Sequence, residues 1–202
     1  MSDAAAWDSK YAEQQFLFGT APNLHLRAIA HRLRPGMRAL ALGDGEGRNS
    51  VFLAGLGLEV TAVDWSGAGL AKAATLAQRA GVAPRFIQAD LTAWAWPAAG
   101  FDLVAWIFVH LPPADRAVVA AGAAAALVPG GLLALEAFAP APEGRRAGGP
   151  REASLLWTRA EVERLFPALE VLELFEGAVL LDEGPKHQGQ AEVVRALLRR
   201  PV

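Results

Sequence analysis

Two acidic points and two histidines could do chemistry together. Gly43-Asp44-Gly45-Glu46-Gly47 follows the apolar run Arg38–Leu42, and Asp64 follows the β-branched run 58–63. Glycines permit positive φ and let a ligand approach the backbone, while the free N–H groups opening a following helix favour a negative group. A carboxylate at the tip of the next strand, 17 residues past Gly47, can accept both hydroxyls of a ribose. The expected ligand is a nucleoside with an anionic end; the bland alternative is a plain tight turn before a helix. His110 and His187 are the candidates for a general base, since imidazole changes charge near neutral pH.

Those residues need strands and helices to place them. Arg38–Leu42 reads as a buried strand, residues 48–54 as a helix broken by Gly55 and Gly57, and 58–63 as a second strand, which makes a βαβ unit. Ser66 is a good N-cap for a helix with helical spacing over 70–80 and a stop at Gly81. A third strand spans 85–89 and closes on Asp90. Phe101–Ile107 is a nearly continuous apolar run, as expected of a central parallel strand, and Pro113 can start the helix that follows. Val128-Pro129-Gly130-Gly131 stops that helix before a fifth strand at 132–136. Thr158-Arg159-Ala160-Glu161 is a capping box, and 169–174 and 191–198 read as final strands with an extended piece at 177–182 between them. Strands without a long crossover pair antiparallel.

The N-terminal segment holds Trp7, Tyr11, Phe16, Leu17 and Phe18 outside the sheet, then a turn through Pro22-Asn23 and an amphipathic helix over 24–33. Trp94 and Trp96 suggest one face of an extended segment, either core or the lining of a base pocket. The stretch 140–151 is a Pro/Gly/Arg loop, a lid or a solvated linker.

Composition narrows the function. The 202 residues suit a single domain, with 1–33 as cap segment and helix and 37–202 as sheet core, and 53% hydrophobic residues are ample for it. A formal charge of −2 without long runs of one sign argues against nucleic acid or membrane partners and for a small-molecule substrate. No cysteine occurs, which excludes disulfides, thiolate metal sites and attack on pyrimidine C5 through a cysteine. The first residues lack a secretory core and no apolar run approaches a membrane span, so a cytoplasmic monomer or homodimer is expected.

The spacing G-x-G-x-G, with Arg48 where a dinucleotide binder has its third glycine, misses the NAD fingerprint. It resembles the first motif of class I S-adenosylmethionine-dependent methyltransferases, and LGDGEGRNSVFLAGLG is similar to the "GxGxGRNSxxLA" form of the small tellurite- and thiopurine-resistance-type enzymes. LVPGGLLALE and EGPKHQGQAEVV, from Glu183 to Val194, resemble further stretches of that group. The resemblance implies an α/β fold: a Rossmann-like seven-stranded sheet, mostly parallel with a C-terminal antiparallel hairpin, and helices on both faces. It implies S-adenosylmethionine as cofactor and S-adenosylhomocysteine as product, held by Gly43, Asp44, Gly45, Glu46, Gly47, Asn49, Asp64, Trp65, Ser66, Ala89, Asp90, Leu91 and Ile107. Asp90 would accept from the adenine amine and the next N–H would meet a ring nitrogen; alternatively Asp90 only caps a turn. The N-terminal segment would close over cofactor and substrate, which makes Tyr11 and Asn23 substrate-binding, or its aromatics simply staple a terminal helix.

Two departures stand out. Ala41 occupies the place where many members carry the carboxylate for the methionine amine, so Asp44 or Glu46 substitutes or points to solvent. FVHLPP, after the fourth strand, lacks the N/D-P-P-Y signature of amino methylation. Methyl transfer from a sulfonium is an in-line displacement, in which orientation alone supplies about 7 to 11 kcal/mol. A base is needed only when the acceptor must lose a proton, and His110 at the end of the fourth strand or His187 in the final hairpin connection could serve, unless backbone satisfies them. His25 and His31 read as surface residues, and the histidines lack metal-ligand spacing. The expected activity is methyl transfer to a small acceptor, a thiol or a metalloid oxyanion. The competing expectations are a non-catalytic module that binds S-adenosylmethionine or S-adenosylhomocysteine, and a nucleotide-dependent oxidoreductase.

Overall fold

In a computed structural model the structure describes residues 4–13, 15–141 and 148–202. Seven strands form one mixed sheet: β1 (Arg38–Leu42), β2 (Glu59–Asp64), β3 (Arg85–Gln88), β4 (Phe101–Ile107), β5 (Leu127–Phe138), β6 (Glu170–Gly184) and β7 (His187–Arg199), in the order β3-β2-β1-β4-β5-β7-β6. The helices are α1 (Ala4–Tyr11), α2 (Leu24–Ala28), α3 (Arg48–Gly55), α4 (Gly67–Ala80), α5 (Pro113–Ala126) and α6 (Arg159–Leu165). This is the seven-stranded methyltransferase-type sheet that the resemblance implied. The chain divides into two compact units, Met1–Trp94 with Glu183–Lys186, and Ala95–Asp182 with His187–Val202.

In the first unit β2 lies between β1 and β3. Arg38 pairs with Glu59 and Leu42 with Val63 in parallel register, and Thr61 pairs with Arg85 on the far side of β2. The apolar side chains of β1 are almost wholly buried, as are Leu53 of α3 and Ala73 of α4. The Ser66 hydroxyl caps α4 by accepting from Gly69 N at 3.0 Å, and Gly81 ends the helix in the left-handed conformation. Both ends were legible in the sequence.

In the second unit β4 and β5 run parallel, Leu103 against Leu132 and Ile107 against Glu136, and β7 returns antiparallel along β5 from Phe138↔Val193 to Leu132↔Arg199. Trp106 and Trp157 meet edge-on in the core at 5.3 Å, and buried Arg116 of α5 donates to the carbonyls of Ser154 and Leu156 and pairs with Glu161. Thr158 caps α6 by accepting from Glu161 N at 3.2 Å.

Several expectations change. The helix read over 24–33 is α2 followed by a 3₁₀ turn at Ile29–Arg32, because Arg34 precedes Pro35 and the chain must leave the helical region. His25 is buried on α2, whereas His31 is exposed as expected. β5 begins at Leu127 and absorbs the Pro-Gly-Gly stop, since Gly130 N and Gly131 O bond to Arg200. The pieces at 169–174 and 177–182 are one strand, β6, which continues through Gly177 at φ 158°, a conformation open to glycine. His187 is the first residue of β7, not part of a loop. Trp96 is outside any strand and packs its ring on Gly122, where a Cβ would lie 2.4 Å from it. Half of the loop expected over 140–151, residues 142–147, lies outside the described residues.

Candidate active site

The glycine turn is built on backbone reach. Gly43 N donates to Val63 O at 2.8 Å, and Gly45 N donates to the Asp64 carboxylate at 2.7 Å, so the tip of β2 holds the turn between β1 and α3. Gly47, at φ 90°, caps α3. The other Asp64 oxygen accepts from Ser66 N at 2.7 Å. Burial raises the Asp64 carboxyl above the usual range, opposed by the N–H groups of Ser66 and Gly45. Asp64 is thus a buried acceptor facing the turn.

Three carboxylates crowd this corner. Asp44 accepts from Ser50 N at 3.2 Å and from the Ser50 hydroxyl, and burial pushes its carboxyl up to about 6. Glu46 accepts from Leu17 N at 2.7 Å and pairs with Lys72, whose ammonium also donates to the carbonyls of Glu13 and Gln15. Both side chains are buried, so neither points to solvent. Tyr11 reaches the same place: a Cβ on Gly45 would lie 2.5 Å from its hydroxyl, and one on Gly69 would lie 3.0 Å from its ring. Its phenol is raised by burial and then by Asp64, Glu46 and Asp44, which keeps it neutral. Asp8, on the same helix, accepts from the Ser66 hydroxyl at 2.5 Å and from Ala68 N at 3.1 Å, which lowers its carboxyl. The N-terminal segment is therefore fastened over the turn through Asp8, Tyr11 and the Lys72–Glu46 pair.

Asn23 sits deeper than a substrate contact would. Its side chain accepts from Leu26 N at 3.0 Å and donates to Glu183 at 2.9 Å, its N–H donates to the Asn49 side chain at 3.0 Å, and it is fully buried. Asn49 is accordingly a partner of this segment as well as part of the opening of α3. Ser66 is buried and Trp65 partly exposed. Asp90 accepts from Thr92 N and the Thr92 hydroxyl through one oxygen, at 2.8 and 2.7 Å; Ala89 N donates to Asp64 O at 3.0 Å, and Leu91 is buried.

The second unit gathers the other predicted residues. Ile107 ends β4, and the next residue, Phe108, takes φ 53°, an uncommon conformation for a side chain of that size. The Phe108 ring lies 4.5 Å from His187 and 4.7 Å from Phe138, while His110 stacks on Phe138 at 5.6 Å. His110 accepts from Phe138 N through Nε2 at 3.1 Å. Burial pulls its imidazole down to about 3, although a bond to the Phe108 main chain opposes this. A ring so held is neutral and a poor proton acceptor. His187 is buried against Phe108.

Asp8, Lys72, Arg48 and Glu183 were not assigned roles from the sequence. Glu183 stood inside the EGPKH stretch, and Arg48 inside GEGRN, but their partners lie 135 residues apart in the chain.

Among the described residues, no helix is long and apolar enough to cross a membrane. A model of the methyltransferase domain matches residues 39–131. The chain is 39% identical over 128 residues to the ribosomal protein L11 methyltransferase of Thermus thermophilus, an alignment that covers 61% of this chain and 48% of that protein. The chain thus spans about half the length of the curated relative it matches. Among solved structures, the N-methyltransferase NodS from Bradyrhizobium japonicum bound to S-adenosyl-L-homocysteine aligns with a TM-score of 0.75 at 17% identity, over 98% of each chain. TehB from Haemophilus influenzae aligns with a TM-score of 0.73 at 19% identity, over 98% of this chain and 66% of that one. The match to the methyltransferase-domain model covers residues 39–131, and the seven-stranded sheet has the fold of these methyltransferase structures.

Proposed function

We propose that this protein transfers a methyl group from S-adenosylmethionine to a small soft acceptor. The observation that carries the reading is the corner at Gly43, Gly45 and Gly47, with Asp44, Glu46 and Asp64 buried around it. Buried carboxylates whose protons are held too tightly are incompletely compensated, and a cationic ligand would relieve them. The cofactor supplies an electrophilic methyl on a sulfonium, with an ammonium at its amino-acid end. Asp64 is suited to the ribose, and Asp44 to the charge that Ala41 cannot meet, since Ala41 is buried in β1 and Glu46 is engaged by Lys72. Asp90 would take the adenine through the oxygen that Thr92 leaves.

The acceptor is the finer part of the proposal. A thiol or a metalloid oxyanion was expected; Phe108, Phe138 and a neutral imidazole at His110 favour a polarizable sulfur acceptor over a strongly hydrated anion. His187 would take the thiol proton, so its replacement should leave cofactor binding nearly intact. Kinship with the tellurite- and thiopurine-type enzymes rests on the GEGRNS and EGPKH motifs, and the likeness to TehB supports it. The near-zero net charge supports a small-molecule acceptor rather than nucleic acid.

Binding distinguishes this from the other readings. Saturating S-adenosylmethionine or S-adenosylhomocysteine should raise the unfolding temperature while NAD leaves it unchanged, because only a ligand of the native state shifts the equilibrium. His187→Ala should retain that shift and lose on the order of 10² to 10⁴ in turnover with a thiol acceptor. A shift with NAD alone would point to an oxidoreductase, and a shift with the nucleosides but no product from thiols or oxyanions would point to a binding module.

A further inference from the structure

Tyr11 is held by its ring alone. The ring stacks on Trp7 at 5.4 Å and meets Phe18 edge-on at 6.5 Å, and Asp8 of the same helix fastens α1 to the start of α4. Two glycines make room for it: a Cβ on Gly69 would lie 3.0 Å from the ring, and one on Gly45 would lie 2.5 Å from the hydroxyl oxygen. The residue is only 6% exposed, yet its hydroxyl makes no hydrogen bond among the described residues. Phenylalanine would fill the same place with the same ring contacts. A buried hydroxyl without a partner costs stability, so this oxygen burdens the fold unless a ligand completes it.

Its position says which part of a ligand that is. Asp64 spans the gap between the glycine turn and the head of α4, accepting from Gly45 N and from Ser66 N, each at 2.7 Å. Tyr11 spans the same gap, from Gly45 to Gly69. We propose that the Tyr11 hydroxyl binds the nucleoside half of the cofactor beside Asp64, rather than the acceptor or the cofactor's amino-acid end. The inference rests on the methyltransferase reading, in which Asp64 takes the sugar. An ionised carboxylate only accepts, so a sugar hydroxyl that donates to Asp64 keeps lone pairs that Asp64 cannot serve. Tyr11 supplies the missing donor. Burial, then the carboxylates of Asp64, Glu46 and Asp44, raise its phenol, so it keeps its proton and adds no further charge to a corner that already holds three acids.

Calorimetric titration of the full chain with S-adenosylhomocysteine, alone and in competition with 5′-methylthioadenosine, tests this alongside thermal unfolding of the ligand-free protein. The second probe keeps the nucleoside and lacks the amino-acid end. In Tyr11→Phe both affinities should fall by a similar factor, about five- to tenfold, while the unfolding temperature without ligand holds or rises. Binding and stability then move apart. A hydroxyl that serves the fold would lower the unfolding temperature on removal, and that result overturns the proposal. So do wild-type affinities in the variant, which would make the hydroxyl idle, and a loss confined to S-adenosylhomocysteine, which would put it at the amino-acid end. Wild-type protein that binds neither nucleoside would instead defeat the methyltransferase reading itself.

Discussion

Gly47→Ala should lose about 2 to 4 kcal/mol of stability, measured as a lowered urea midpoint at constant slope, and should no longer bind S-adenosylhomocysteine at concentrations that saturate the wild type. The two costs are separate. At φ 90° a Cβ strains the backbone by about 1 to 2 kcal/mol. The same Cβ would also lie 2.6 Å from Cβ and 2.7 Å from Cα of Ala73, a residue fixed in the middle of α4, so relief requires moving a helix rather than a flexible side chain. That helix carries the Ser66 cap, which contacts Asp8 of the N-terminal segment, and the disturbance spreads from turn to cap. Gly55→Ala is the matched control: it lies in α3, its Cβ would meet nothing within 4 Å, and it should be neutral or stabilising by about 0.4 to 1 kcal/mol. Equal losses in the two variants would mean that α3 responds to any added methyl, and that the turn has no special geometry.

The contrast between those two glycines shows where a sequence is informative. β1 and β4 are legible to the residue because each is an apolar run bounded by turn formers, and α4 because Ser66 and Gly81 act on their own neighbours. Local chemistry decides those features. The glycines of the turn are legible for the same reason: the turn, the helix that follows and the acidic tip of β2 all fall within one βαβ unit. Glu183 is different. Its partners are 160, 159 and 135 residues distant, and nothing in the spacing of EGPKH says which of them a carboxylate would meet. Asp8 is hidden likewise, as are the bonds from Lys72 to the Glu13 and Gln15 carbonyls, since they act across 57 to 60 residues on backbone or hydroxyl groups that any sequence could offer. His110 follows β4, as its place in the sequence suggests, but its ring chemistry depends on Phe138 N, a main-chain group 28 residues away. Position was readable there, and protonation was not.

Asp44→Asn should make the protein more stable at pH 8 and flatten its pH dependence in the acid range, while weakening S-adenosylmethionine. The sign follows from the carboxyl's displacement. Burial raises it from 3.8 to about 6, so between those values the native state holds a proton that the unfolded chain has released. The contribution of this group to native stability is therefore greatest below about pH 4, declines as pH rises through 4 to 6, and stays at the lower level above, by on the order of 3 kcal/mol. An amide of the same shape removes that ionisation. Its oxygen can still accept from Ser50 N, its NH₂ can donate to the Ser50 hydroxyl, and the hydroxyl hydrogen can turn to Gly47 O at 3.2 Å, so the local bonds survive. Thermal unfolding of wild type and variant at pH 4.5 and pH 8 reads this directly: the difference between them should be full at pH 8 and shrink to about a third at pH 4.5. Titration with S-adenosylmethionine at pH 8 should show the opposite ranking, since the variant is freed of a burdensome charge that the sulfonium nucleoside would have neutralised. A variant that gains stability at pH 8 yet binds the cofactor as tightly as wild type would mean that Asp44 serves the turn alone. The corner would then owe its preference for a cation to Asp64.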